Sequence, residues 1–227
     1  APAAPANPGA RLARRLEARL ETHLEAPLES GSQIGRERHL FCSESLRRFY
    51  EARGFSLAWS EDGHPTENAD SLLAAVTVAD REGLDGRDYH LRTMRAIMAL
   101  LAVTRDEETD IFADAASAGA LVDLDLLLSD SFLLYGTHCL AGRIDPESID
   151  PEWTAHRRAA DMPLILQEAL ASDRVGSALR DLLPPQPGYT GLRAALARLR
   201  EVAANGGWPE VAPGPGLHPG DADPRVT

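Results

Sequence analysis

Two thiols, Cys42 and Cys139, are the first groups in this sequence that could do chemistry. A thiolate attacks acyl carbon or binds metal once a neighbouring base or cation lowers its pKa. His39 precedes Cys42 by three residues, a spacing that puts two side chains on one helix face. His138 adjoins Cys139, but successive helix residues point about 100° apart, so adjacency alone makes no dyad. His39, Cys42 and Cys139 could ligate zinc in principle, yet the paired-ligand spacing of zinc sites is missing and no metal is expected. Cys42 and Cys139 are also a candidate disulfide if their helices pack together in an exported protein. Two separate buried thiols are the alternative.

Carboxylates are the next reactive groups. Pairs such as Glu107/Glu108 and Asp123/Asp130 are common in a chain with 35 acidic residues against 23 basic ones. A glycosidase needs two acids facing each other across a cleft, so a solvated face is the preferred reading. Trp59, Trp153 and Trp208 could stack on sugar rings, but each lies near a turn that a core aromatic would pin, and core anchoring is preferred. No Gly-rich phosphate loop, Ser-His-Asp cue or HExxH motif appears, and no cofactor is expected.

Positioning any of these groups requires a core. The chain has 227 residues, 44% of them hydrophobic, with only 5% aromatic. Leucine and alanine must therefore fill the interior, which favours helices over sheets. A net charge of −12 argues against nucleic acid, because phosphate binding needs a basic face. Every basic residue is arginine. The lead APAAPANPG, small and Pro-rich, is of the kind that follows a signal cleavage site, so export is the expectation.

Residues 119–146, GALVDLDLLLSDSFLLYGTHCLAGRIDP, organise the rest. Wound as a helix, the apolar residues of the first half point in nearly every direction, so the helix belongs in the middle of a domain. Three aspartates interrupt a run already shorter than the roughly 20 apolar residues of a membrane span. Asp123 and Asp130 mark one polar edge. Asp125 falls inside the apolar arc; an ion pair with a buried arginine is preferred there over a functional carboxylate.

Leucines every four residues give a helix at 11–25, ended by Pro27, with a turn at 30–32. Further helices are expected at 37–53 with Phe41 inward, 66–82, 92–103, 164–171, 175–183 and 190–204, the last with Leu192, Leu196 and Leu199 inside. Residues 106–118 are weakly patterned. Asp145-Pro146 and Asp150-Pro151 each read as a cap before a helix's first residue. The expected fold is mainly α: an irregular multi-helix bundle around a buried helix at about 119–140, with at most a short extended segment near 55–59. The expected organisation is a disordered lead at 1–10, a helical domain at 11–204 and a Gly/Pro-rich linker at 205–227 that Trp208 could anchor.

Four segments, FYEARGFSLAWSEDG (49–63), ADREGLDGRDYHL (79–91), LLLSDSFLLYGTHCLAGRIDPESIDPEW (126–153) and PPQPGYTGLRAALARLREVAANGGWPEV (184–211), appear in an order and spacing with a family likeness. Together they resemble the N-terminal scaffold region of the large exported murein L,D-transpeptidases, the YcbB-like group. The resemblance spans about 40–227, and the tail LHPGDADPRVT resembles the approach to that family's peptidoglycan-binding domain. It implies a periplasmic protein whose partners are peptidoglycan or its stem peptides, or another envelope protein. In that family a cysteine in a Ser-x-Gly-Cys-x-Arg segment of a separate domain forms the acyl-enzyme. This chain has no such segment, so no catalytic role carries over to Cys42 or Cys139. Tyr50, Trp59, Tyr89, Arg143, Asp145 and Trp153 lie in the matching segments. They are expected to be structural, the aromatics pinning loops and Arg143 with Asp145 fixing the turn after the central helix.

Overall fold

The computed structural model describes residues 8–25, 40–105, 115–150, 152–154, 156–208, 210, 213–220 and 223. Helices α1 (Pro8–Glu25), α2 (Ser43–Ala52), α3 (Glu67–Thr77), α4 (Leu91–Arg105), α5 (Ala115–Ala141), α6 (Met162–Ala171), α7 (Val175–Asp181) and α8 (Pro187–Ala204) carry most of them. One compact unit runs through Pro185 and a second begins at Gln186.

Helix α5 is the axis of the first unit. It has 27 residues, about 40 Å at 1.5 Å per residue. Every residue from Leu124 to Leu133 is buried, on all sides of the helix. Six helices surround it: α1, α2, α3, α4, α6 and α7. They meet it through amphipathic faces: Leu12, Leu16 and Leu20 from α1, Leu46 and Phe49 from α2, Met94 and Leu101 from α4. Each fully buried Leu or Phe contributes roughly 1.5–3 kcal/mol, so these faces and the axis stabilise one another. Gly136 lets α6 and α7 approach: a Cβ there would lie 2.5 Å from Met162 Cε and 3.1 Å from Leu182 Cδ1. Among the described residues no helix is long and apolar enough to cross a membrane.

Several boundaries move, for physical reasons. The second helix begins at Ser43, because the amides of Phe41 and Cys42 are drawn to the Asp130 carboxylate instead of a helical ladder. Phe41 is consequently exposed, its ring stacked on His90. The extended element falls at 60–65 and not at 55–59: Ser60–Glu61 pairs antiparallel with His64–Pro65. Asp62 and Gly63 link them with φ of 49° and 82°, the positive pair that a tight two-residue hairpin turn demands. The expected 66–82 helix divides into α3 and a 3-10 turn at Ala79–Glu82, closed by Gly83 at φ 76°. In the second unit, Leu192 and Leu199 of α8 are 72% and 50% exposed, not inside, and Trp208 anchors nothing at 73% exposed. The first helix begins at Pro8, inside the disordered lead expected at 1–10; residues 1–7 of that lead, Pro27, the turn at 30–32, the helix start at 37–39 with His39, and 106–114 lie outside the described residues.

Candidate functional site

Three aspartates of α5 reach three different parts of the chain. Asp125 is 1% exposed. Its carboxylate accepts the backbone N–H of Ala58 at 2.9 Å and of Trp59 at 2.9 Å. It also accepts the Tyr50 hydroxyl at 2.7 Å. One turn on, Ser129 Oγ lies 2.7 Å from the Tyr50 oxygen and accepts the Trp59 indole N–H at 2.8 Å. With one proton each, the chain runs Trp59 to Ser129 to Tyr50 to Asp125. The expected partner, an arginine, is replaced by these donors. Arg53 donates to the Leu57 carbonyl and acts on Asp125 only through its charge. Burial pushes the Asp125 carboxyl up to about 6, against the pull of its donors. The Tyr50 hydroxyl is raised well above its ordinary value by burial and by the Asp125 charge.

Asp130 is fully buried and does not mark a polar edge. It accepts the amides of Cys42 at 2.7 Å and Phe41 at 3.1 Å. His90 Nε2 is 2.7 Å away and, facing a carboxylate, carries the proton of that bond. His90 itself sits in the left-handed region at φ 57° between the 3-10 turn Gly86–Tyr89 and α4. Asp123, in contrast, lies at the surface in a two-pronged pair with Arg19 of α1, at 2.7 and 3.0 Å.

The far end of α5 is closed by cations. Arg157 donates to the carbonyls of Ala141 and Gly142, and Arg158 bridges the carbonyls of Cys139 and Leu182. The Cys139 and Ala141 carbonyls belong to the last turn of α5, where acceptors lack helical partners, and arginine also suits the negative end of its dipole. Arg143 donates to Asp88 at 2.6 Å, joining the turn after α5 to the 3-10 turn that holds Tyr89. Tyr89 is buried, its hydroxyl 2.9 Å from His138 Nδ1. Asp145 caps the 3-10 turn Pro146–Ser148 by accepting from the Glu147 amide at 3.2 Å. Asp150 makes the same local bond to Glu152 at 3.0 Å, but no helix follows among the described residues there.

The arrangement brings Tyr50 and Trp59 together on Asp125, and Tyr89 with Arg143 around Asp88 and His138. Trp153 joins neither group and is 47% exposed, so it is not a core anchor. Both cysteines are free thiols, and the candidate bridge is not formed. Burial pushes each thiol up to about 12; the Asp130 charge adds to the rise at Cys42. Burial therefore favours the protonated thiol at both positions. The His138 imidazole is held below its ordinary value by burial and by Arg143 and Arg157. Among the described residues no group of three or more His, Cys, Asp or Glu is placed to hold a metal. Sequence reading missed His90, Ser129, Arg157 and Arg158. Ser129, four residues from Asp125, was the one with a readable signal, since i and i+4 share a helix face.

Among the described residues the buried polar groups of α5 hold backbone together, an arrangement that suits a helical scaffold. The comparison with protein families agrees: the family described as "Scaffold domain" matches residues 44–196. The chain belongs to that family, and the match runs from α2 into α8. Comparison with curated proteins and with solved structures finds no match.

Proposed function

We propose that this chain is the scaffold module of an exported bacterial L,D-transpeptidase of the YcbB-like group. In this reading it holds neighbouring domains in the periplasm while a cysteine elsewhere in the parent protein forms peptidoglycan cross-links. The observation that carries the reading is the scaffold-family match over 44–196. The burial of both thiols, which raises them to about 12, is compatible with it. Two experiments test the two halves of the reading. Purified protein incubated with murein sacculi is expected to release no muropeptides; soluble fragments would mean that the module is itself an enzyme. The gene beyond Thr227 is expected to encode a peptidoglycan-binding unit and then a Ser-x-Gly-Cys segment. A stop codon there would favour a free-standing binding module. Arg143→Ala is expected to lower the melting temperature by loosening the turn after α5. Loss of sacculus binding at an unchanged melting temperature would instead make Arg143 a contact residue.

A further inference from the structure

Where α5 ends, cations gather around one imidazole. His138 is half-buried in the last turn, with Nδ1 2.9 Å from the Tyr89 hydroxyl. Asp88 and Tyr89 face it from the 3-10 turn Gly86–Tyr89, Arg143 from the turn after α5, and Arg157 from the segment that leads to α6. Cys139 and Tyr135, its neighbours on α5, feel the charge of Glu82. Asp88, the carboxylate that acts on His138, is already engaged by Arg143 at 2.6 Å. The negative end of the helix dipole would favour an imidazolium, but Arg157 and Arg158 occupy the carbonyls of Cys139, Ala141 and Gly142. A proton on His138 therefore adds a third positive charge to those of Arg143 and Arg157. It also removes an acceptor. Tyr89 is fully buried, and its hydroxyl has no other hydrogen-bond partner among the described residues. Burial keeps that hydroxyl protonated. Its proton needs a bare Nδ1, which an imidazolium does not offer, and a buried donor left without an acceptor is destabilising.

We propose that this corner is a pH-sensitive latch: neutral His138 holds it shut, and a proton on His138 releases the turn at 142–150 while the rest of the unit stays packed. The part that lets go is defined by its own bonds. The Gly142 amide donates to the His138 carbonyl at 3.0 Å, and the amides of Ser148, Ile149 and Asp150 close the short turn that follows. Ile144 and Ile149 are exposed on this segment, so His138 governs how rigidly they are held. Burial, then Arg143 and Arg157, keeps the imidazole below its ordinary value. The folded corner thus binds less proton than the unfolded chain. Its stability is fully present above the ordinary histidine range and is lost as pH falls below it. The inference does not depend on the parent protein's being a transpeptidase.

The test is hydrogen exchange of the full chain, read by mass spectrometry at about pH 7.5 and about pH 5.5, with labelling times scaled for the intrinsic rate. Peptides covering 139–150 are expected to lose protection about threefold or more at the lower pH, while those covering 124–133 keep theirs. His138→Gln keeps a hydrogen-bonding side chain that never becomes a cation, so it should remove the pH response. Should that variant fail to fold, the imidazole resonances of the parent decide: His138 is expected to titrate at lower pH in the native protein than in urea. The proposal is overturned by equal protection at both pH values, by a loss that persists in His138→Gln, by an equal loss over 124–133, or by native His138 titrating at or above its value in urea.

Discussion

At the scale of single residues, the carboxylates of α5 differ in what they hold. Removing the Asp125 carboxylate leaves the Ala58 and Trp59 amides without their acceptor, while the Tyr50 hydroxyl keeps the Asp125 backbone carbonyl at 2.9 Å. Asp125→Ala should therefore destabilise by about 3–5 kcal/mol in urea titrations, the usual range when one partner of a buried charged network is deleted. Asp123→Ala loses only a surface pair with Arg19, so its effect should stay below about 1 kcal/mol. Equal losses in the two variants would contradict this hierarchy. The pH dependence follows from the same burial. Asp125 has a folded pKa raised to about 6 from an ordinary value near 3.8. Between those values the folded state binds the proton and the unfolded state does not. Stability contributed by this group therefore rises as pH falls from 7 towards 4. Asp85, held down at about 2 by Arg87, and Asp161, held down by Arg48, act in the opposite sense. Their contribution is present above the ordinary carboxylate range and is lost as pH falls through their folded values. His138, held below its ordinary value, loses stability over the same window, so the Asp125 gain is read as the difference between the parent and Asp125→Asn, with a common loss below pH 4. Asp125→Asn, measured across the same range, should abolish the gain.

At the scale of elements, two glycines mark close approaches of different kinds. A Cβ on Gly86 would sit 2.8 Å from the Val76 carbonyl oxygen, which is backbone at the end of α3. At Gly136 the nearest atom is the far end of the Met162 side chain, which can rotate away. Gly86→Ala should cost about 1–3 kcal/mol and lower the melting temperature more than Gly136→Ala does. The opposite order would mean that the loop before α4 yields more easily than the α5–α6 contact. The thiols give another test at this scale. Cys42 precedes α2 and Cys139 ends in the buried wall of α5. Both should resist alkylation by iodoacetamide at neutral pH until urea unfolds the chain, because the thiolate is the reactive form. Rapid labelling of the native protein would show that one of them is activated.

At the scale of the molecule, among the described residues α5 packs against six other helices, an arrangement that favours cooperative unfolding. Trp59 is the first unit's buried tryptophan, whereas Trp153 and Trp208 are open to solvent. Tryptophan fluorescence should therefore report Trp59, and its urea transition should coincide with that of far-UV circular dichroism for the same residues. Separate midpoints would divide the frame into independent parts.

The sequence by itself determined the architecture. A leucine-rich run apolar on every side has to be an interior helix, and the flanking period-four leucines have to face it, whatever the other details. Asp62-Gly63 is a turn signal in the sequence, but the strands it joins lie at 60–65 and not at the expected 55–59. What only the tertiary structure decided is the fate of the polar residues. Asp123, Asp125 and Asp130 look alike in sequence, and the first two lie one turn apart or less on one helix. One reaches an arginine at the surface, and the other two reach backbone amides 66 to 89 residues away. A carboxylate's worth depends on which donors the fold delivers to it and on how much water it excludes. Both are set by contacts distant along the chain, and no local pattern encodes them.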